Sequence, residues 1–71
     1  MVRADMRLHA ERIKELRTER DWSQERLARA AGLSYRTVAR MENGRGSSTS
    51  TILAVAQALG VPLDDLFEEA S

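Results

Sequence analysis

The chain has 71 residues and no cysteine, so we expect one domain over residues 1–71 without disulfides or thiolate metal sites. Because the sequence shows neither a secretory pattern nor an apolar run of spanning length, we expect a cytoplasmic protein without a membrane partner. The formal net charge is zero, but residues 1–45 hold eleven basic and seven acidic side chains, and residues 46–71 hold four acids and no base, so the first segment suits a polyanion.

The predicted elements are helices throughout. No run of alternating β-branched residues is present, so we predict no strand. Residues 1–5 are expected to form a short flexible arm. The first helix is predicted from Asp5 or Arg7 to Arg20, with charged residues on its outer faces.

A helix–turn–helix pattern follows in the middle of the chain. Ser23 is a good N-cap for the second helix, which should end at Gly32 because glycine takes positive φ without strain. Ser34 is the predicted N-cap of a third helix over Tyr35–Glu42. A short link that contains glycine between two amphipathic helices is typical of helix–turn–helix motifs.

The last third of the chain predicts two more helices. The fourth should begin after Ser48 and run to Leu59, where Gly60 ends it. Pro62 suits the first turn of a short fifth helix over residues 63–68. The sequence therefore predicts an all-α, compact five-helix domain.

Two arginines on the third helix give the sharpest indication of function. On a helical wheel, Arg36 and Arg40 lie within about 40° of each other, opposite the apolar Val38 and Met41. Neither arginine has an acid three or four residues away, although like charges at this spacing destabilise a helix. We infer that the missing anions belong to a ligand. Arginine also binds guanine edges in the major groove with two hydrogen bonds. The alternative is a solvated basic face.

Residues around the third helix add candidate contacts. Gln24 opens the second helix, where backbone N–H groups attract phosphate. Asn43, Gly44 and Arg45 offer an amide, a backbone N–H and a cation to the same phosphate strand, although Asn43-Gly44 also suits a helix cap alone. Tyr35 either contacts phosphate or base, or lies flat on the protein.

An ion pair is predicted between the first and third helices. Glu42 is the only acid between residues 26 and 63, and Arg17 is its plausible partner. A half-buried pair of this kind would fix the angle of the third helix more than it would stabilise the fold.

These features together resemble the phage repressor/Cro-type (XRE-like) helix–turn–helix family. The likeness covers about residues 9–67, and its matching segments are 13–17, 22–28, 31–34, 38–44 and 53–61. The combination of Ser-Gln-x-x-Leu-Ala, Ala-Gly and Glu-Asn-Gly is specific, whereas any one piece alone is weak. The resemblance implies a five-helix DNA-binding domain whose third helix enters the major groove.

The resemblance also implies residue roles. The base-reading positions are Tyr35, Arg36, Thr37 and Arg40. The phosphate contacts are Gln24, Asn43 and Arg45, and the buried ion pair is Arg17 with Glu42. Three positions depart from the family pattern: Ser47 replaces a proline, and Thr49 and His9 replace apolar residues. We therefore expect a looser loop after the third helix, and a packed, partly exposed ring at His9 rather than a ligand.

The leading hypothesis is a sequence-specific regulator of double-stranded DNA, a repressor that binds a palindromic operator as a homodimer. Its two recognition helices would lie about 34 Å apart. Leu63, Leu66 and Phe67 are the candidate dimer contacts, and the alternative is that they close the core under the first helix.

Two other classes compete with this hypothesis. The zero net charge and the acidic C-terminal segment suit an antitoxin-like or anti-repressor module that binds a protein partner. An enzyme is not expected. The chain has a single histidine without partners at catalytic spacing, and it lacks a carboxylate cluster near the basic face that could hold a metal ion. We expect no cofactor.

Overall fold

A computed structural model describes residues 5–8, 10–45 and 47–70. Its elements in chain order are strand β1 (Asp5–Leu8), helices α1 (Ala10–Glu19), α2 (Gln24–Ala31), α3 (Tyr35–Glu42) and α4 (Thr49–Leu59), a 3-10 turn (Leu63–Leu66) and strand β2 (Phe67–Ala70). Residues 1–4 of the expected arm, and His9, lie outside the described residues. In the part of the chain that is described, no helix is long and apolar enough to cross a membrane.

Serine hydroxyls begin three of the four helices. The Oγ atoms of Ser23, Ser34 and Ser48 each accept a hydrogen bond from the backbone N–H three residues later, at 3.0, 3.2 and 3.3 Å. Gly32 and Gly60 end α2 and α4 with φ of 71° and 74°, in the left-handed region that glycine adopts at little cost. The predicted bounds of these three helices are confirmed because each rests on a local cap.

The core lies between all four helices and the 3-10 turn. Helix α2 packs against α3 and α4, and the 3-10 turn packs against α1 and α4. The buried apolar side chains are Ile13, Leu16, Leu27, Ala28, Val38, Met41, Ile52, Val55, Ala56, Leu59 and Leu66. The helical body is therefore all-α, as predicted.

Both ends of this body differ from the prediction. Helix α1 begins at Ala10, and the expected fifth helix is a 3-10 turn that ends at Leu66. The segments outside these bounds pair as antiparallel strands, with Asp5 opposite Ala70 and Leu8 opposite Phe67. The predictions of five helices and of no strand are thus wrong. An isolated pair of strands is marginal in water, so this pairing depends on the body that brings the two segments together.

A single arginine joins the ends of two helices. Arg20 donates from Nη1 to the carbonyl of Leu16 at 2.6 Å and from Nη2 to the carbonyl of Leu59 at 2.7 Å. Carbonyls in the last turn of a helix lack partners within the helix, so a nearby cation can satisfy them. Arg20 therefore fixes the end of α1 against the end of α4.

Candidate nucleic-acid interface

Helix α3 has one buried side and one charged side. Val38 and Met41 have no exposed surface, and both belong to the core. Arg36 and Arg40 are exposed. The packing of α3 against α1 and α2 fixes this orientation, so the two guanidinium groups lie on the solvent side of a helix that cannot rotate.

No intramolecular anion neutralises these two arginines in the described part of the chain. The ion pairs found among its side chains are Arg12 with Glu15, Arg12 with Asp65, and Arg17 with Glu42. Arg36 and Arg40 take part in none of them. Their charges are therefore available to an external anion.

The first turn of α3 presents an aromatic ring. Tyr35 is 54% exposed. Thr37 is half-buried, and its Oγ1 lies 2.9 Å from the Oγ of Ser34, which also accepts from the Thr37 backbone N–H. The Tyr35 side chain is thus exposed, whereas the Thr37 hydroxyl is shared with the helix cap.

The end of α3 uses its backbone donors internally. The N–H groups of Asn43 and Gly44 donate to carbonyls of the last helical turn, and Arg45 N–H donates to the Arg40 carbonyl at 3.0 Å. Gly44 has a φ of 82°, which completes this cap. The Gly44 N–H donates to the Met41 carbonyl at 3.1 Å, and the phosphate contact from this group stays a prediction. The Asn43 and Arg45 side chains remain exposed.

A hydrogen-bonded network connects the same end of α3 to α1 and to the turn that follows α1. Arg17 donates to Glu42 from Nε at 2.6 Å and from Nη2 at 2.9 Å, and its Nη1 donates to the Trp22 carbonyl at 2.7 Å. The side chains of Arg17 and Glu42 are only 11% and 3% exposed. Hydrogen bonding to Glu42 raises the pKa of Arg17 above its usual value. The predicted ion pair is present with two-point geometry.

Gln24 belongs to this network as well. Its Nε2 donates to Glu42 Oε1 at 3.0 Å, so the beginning of α2 lies beside the end of α3. The side chain of Gln24 therefore has one N–H and its carbonyl oxygen left for an external partner. Sequence reasoning missed this bond, because residues 24 and 42 belong to different helices and no local pattern connects them.

The candidate dimer contacts have different environments. Leu66 has no exposed surface and lies in the core, so the alternative, that it closes the core, is favoured over a contact with a partner chain. Leu63 and Phe67 are half-buried and pack against the same core. Leu53, on the outer side of α4, is 41% exposed. The 3-10 turn packs against α1 and α4, and its last residue, Leu66, points into the core.

Comparison with protein families gives one clear match. The family model described as helix-turn-helix matches residues 13–66. The HTH-type transcriptional regulator PrtR of Pseudomonas aeruginosa is 40% identical over 52 residues, which are 73% of this chain and 20% of PrtR. A transcriptional regulator in the ATPase CF(0) region of Rhodospirillum rubrum is 37% identical over 60 residues, which are 83% of this chain and 56% of that protein. The chain thus spans about a fifth and just over half of these relatives.

Solved structures show the same fold. The restriction-modification controller protein C.AhdI from Aeromonas hydrophila is 40% identical with a TM-score of 0.79, and the match covers 83% of this chain and 91% of that one. The hypothetical transcription factor NHTF from Neisseria is 36% identical with a TM-score of 0.78, over 84% of this chain and 70% of that one.

Proposed function

The chain belongs to the helix-turn-helix family of transcriptional regulators, and from this premise we propose that it binds double-stranded DNA sequence-specifically through α3. The observation that supports α3 as the reading element is its pair of arginines. Arg36 and Arg40 are exposed, lie one turn apart, and have no carboxylate partner among the described side chains. The major groove of B-DNA, about 12 Å wide, admits a helix whose outer face carries such side chains.

Base reading in this proposal comes mainly from the two arginines. Each guanidinium can donate two hydrogen bonds to O6 and N7 of a guanine, a contact that discriminates by about 1–3 kcal/mol against the wrong base. Tyr35 and Thr37 lie beside them in the first turn of α3. We propose that the phosphate contacts come from the side chains of Gln24, Asn43 and Arg45.

The Arg17–Glu42 pair is a positioning device in this mechanism. Glu42 is the last residue of α3, and Arg17 ties it to α1 and to the Trp22 carbonyl. Gln24 joins the same carboxylate from α2. A phosphate-contacting residue is therefore linked directly to the reading helix, so that backbone contacts and base contacts keep a fixed relation.

We further propose that the protein is a repressor that binds a palindromic operator as a homodimer. Two copies related by a two-fold axis present their recognition helices to half-sites about 34 Å apart. The half-buried Leu63 and Phe67 are the remaining candidate contacts between subunits. Sedimentation with and without operator DNA measures this assembly, and a stable 1:1 complex with a single half-site would contradict it. A regulator of this kind works in the cytoplasm, where its DNA is.

Selection from a pool of random duplex DNA tests the proposal as a whole. Sequencing of the bound fraction should yield a motif with two inverted half-sites that contain G·C pairs. Gel shifts on that motif then compare Arg40→Ala with Lys14→Ala, which removes one charge from an exposed position on α1. Arg40→Ala should cost about 1–3 kcal/mol on the selected site and relax base preference at one position. An equal loss on random DNA would refute direct readout.

The second candidate function is an antitoxin-like or anti-repressor module with a protein partner. The observation in its favour is the separation of charge, because residues 46–71 carry four acids and no base. Two results together would favour this function over DNA binding. The random pool would yield no enriched motif, and the protein would bind a protein partner saturably, with an affinity that Arg40→Ala leaves unchanged.

A further inference from the structure

An open groove lies between the last turn of α2 and the first turn of α3. It has a volume of about 350 Å³, and its lining residues are Glu25, Ala28, Arg29, Leu33 and Tyr35. Ala28 and Leu33 are the apolar part of this lining, whereas Glu25, Arg29 and Tyr35 are its exposed polar part. The groove is wide open to solvent, so it suits a surface that passes over it better than an enclosed small molecule.

The charge of Arg29 is not neutralised within its own helix. Glu25 precedes Arg29 by four residues, which is the order and spacing at which an acid and a base stabilise a helix. Both side chains line the groove, yet they form no ion pair, and Arg29 appears in none of the ion pairs among the described side chains. Arg29 is thus an exposed guanidinium available to an external anion, as Arg36, Arg40 and Arg45 are.

The chemistry of Arg29 and Tyr35 suits a phosphate group. Arginine offers several N–H donors on a planar cation, and the tyrosine hydroxyl adds another donor. Tyr35 is 54% exposed, and it shares the groove with Arg29. Charge-assisted hydrogen bonds from a guanidinium to phosphate oxygens are short and strong.

The position of this protein groove relative to α3 indicates which DNA phosphate Arg29 and Tyr35 would contact. Gln24 bonds to Glu42, so the beginning of α2 lies at the C-terminal end of α3. Arg29 lies further along α2 and lines the same groove as Tyr35, at the N-terminal end of α3. Helix α3 has 8 residues. At a rise of 1.5 Å per residue its length is about 12 Å, which is close to the width of the major groove. With α3 laid across the major groove, groups at its two ends reach the two opposite backbones.

We propose that Arg29 and Tyr35 bind a DNA backbone phosphate on the strand opposite the one that Gln24, Asn43 and Arg45 contact. The proposal rests on the proposed DNA-binding function and adds a second set of phosphate contacts to it. Tyr35 then contacts the DNA backbone rather than a base, and Arg36 and Arg40 contact bases between the two sets of phosphate contacts. Helix α3 is thus held in the major groove by phosphate contacts at both of its ends.

Salt dependence of binding tests this assignment. Each neutralised phosphate contributes about −0.9 to the slope of log K against log salt concentration. Arg29→Gln should make that slope shallower by about one and weaken binding by a similar factor, about tenfold, on the selected site and on random duplexes. Tyr35→Phe should also weaken binding, by a smaller factor, without changing the preferred sequence. Lys14→Gln is the charge-matched control on α1, and it should leave the slope unchanged.

The outcomes separate this inference from the proposed function. An unchanged salt slope for Arg29→Gln, with Arg40→Ala still weakening the selected site, would overturn the Arg29 contact and leave DNA recognition by α3 standing. A changed base preference in Arg29→Gln would also overturn it, because a backbone contact carries no sequence information. Absence of DNA binding by the wild-type chain would overturn both. Thermal melting of Arg29→Gln verifies that the variant is folded, as expected for an exposed position.

Discussion

Replacement of Arg17 by methionine is the most quantitative test of how the reading helix is held. Glu42 is 3% exposed and accepts two hydrogen bonds from Arg17. In Arg17→Met the carboxylate stays buried with the Gln24 amide as its donor among the described side chains. Breaking a buried ion pair at one partner costs about 3–5 kcal/mol. Arg17 keeps 11% exposure, so water retains some access and we expect the lower end of that range.

This loss is large for so small a protein. At about 0.05–0.15 kcal/mol per residue, the chain has a total stability of roughly 4–11 kcal/mol. A loss of about 3 kcal/mol corresponds to a fall in Tm of about 12–24 °C for a domain of this size. The double variant Arg17→Met/Glu42→Leu removes both charges, so no unpaired charge is left. We expect it to recover to within about 1 kcal/mol of the wild type.

Urea denaturation at 25 °C is the suitable assay. Trp22 is the only tryptophan, it is half-buried, and its carbonyl accepts from Arg17, so its fluorescence reports on this region. The four proteins of the cycle should show a coupling of at least about 2 kcal/mol between Arg17 and Glu42. Two results would refute a stabilising role of the pair. One is a loss in unfolding free energy below about 1 kcal/mol for Arg17→Met, and the other is a loss in the double variant equal to the sum of the two single losses. Unchanged DNA affinity and melting temperature in Arg17→Met would exclude a positioning role as well.

Three further substitutions test local features of the fold. Gly32→Ala should destabilise the protein by about 1–2 kcal/mol in urea, because φ of 71° is unfavourable for a residue with a Cβ. The added methyl would meet nothing within 4 Å, so a loss much above this value would contradict a purely conformational cause. Ser34→Ala should cost about 1 kcal/mol, since it removes the acceptor of the Thr37 N–H, and a thermal melt followed by circular dichroism measures it. Leu66→Ala should cost about 2–5 kcal/mol of stability as a core truncation. Weakened self-association of Leu66→Ala with unchanged stability would instead mean that the residue is at an interface.

The helical body could be predicted because its boundaries are set by local chemistry. A serine before an apolar-periodic segment and a glycine after it define α2 within the sequence itself, and the structure shows both caps. The inward and outward faces of α3 follow from its 3.6-residue period, which places Val38 in the core and Arg36 in solvent.

The two terminal strands could not be predicted from the chain. Asp5 and Ala70 become neighbours only after the helices have packed. Strand β1 alternates polar and apolar residues over only four positions, and β2 does not alternate, so neither segment predicts a strand pair by itself. Leu66 presents a related difficulty. An apolar residue near the end of a short domain can cover its own core or a partner, and only the docking of the 3-10 turn decides between them.

The site was predictable in its charges and less so in its hydrogen bonds. Arg36 and Arg40 were visible as a pair without nearby acids. The bond from the Gly44 N–H to the last turn of α3 was not foreseen, because the sequence does not show which carbonyl a capping N–H will reach. Arg29 carried no distinguishing signal, since its Glu25 neighbour at i−4 suggests an ordinary helix pair.

The pairing of β1 with β2 makes the domain a candidate for circular permutation. Asp5 stands opposite Ala70, and neighbouring strands lie about 5 Å apart. A short peptide could therefore join these segments into a hairpin, and the chain could be opened instead between α3 and α4. The permutant would begin with α4 and end with α3, with its caps and core unchanged. A contact between the most distant segments would become a local one, and since low contact order speeds folding, the rearranged chain should fold faster than the natural one.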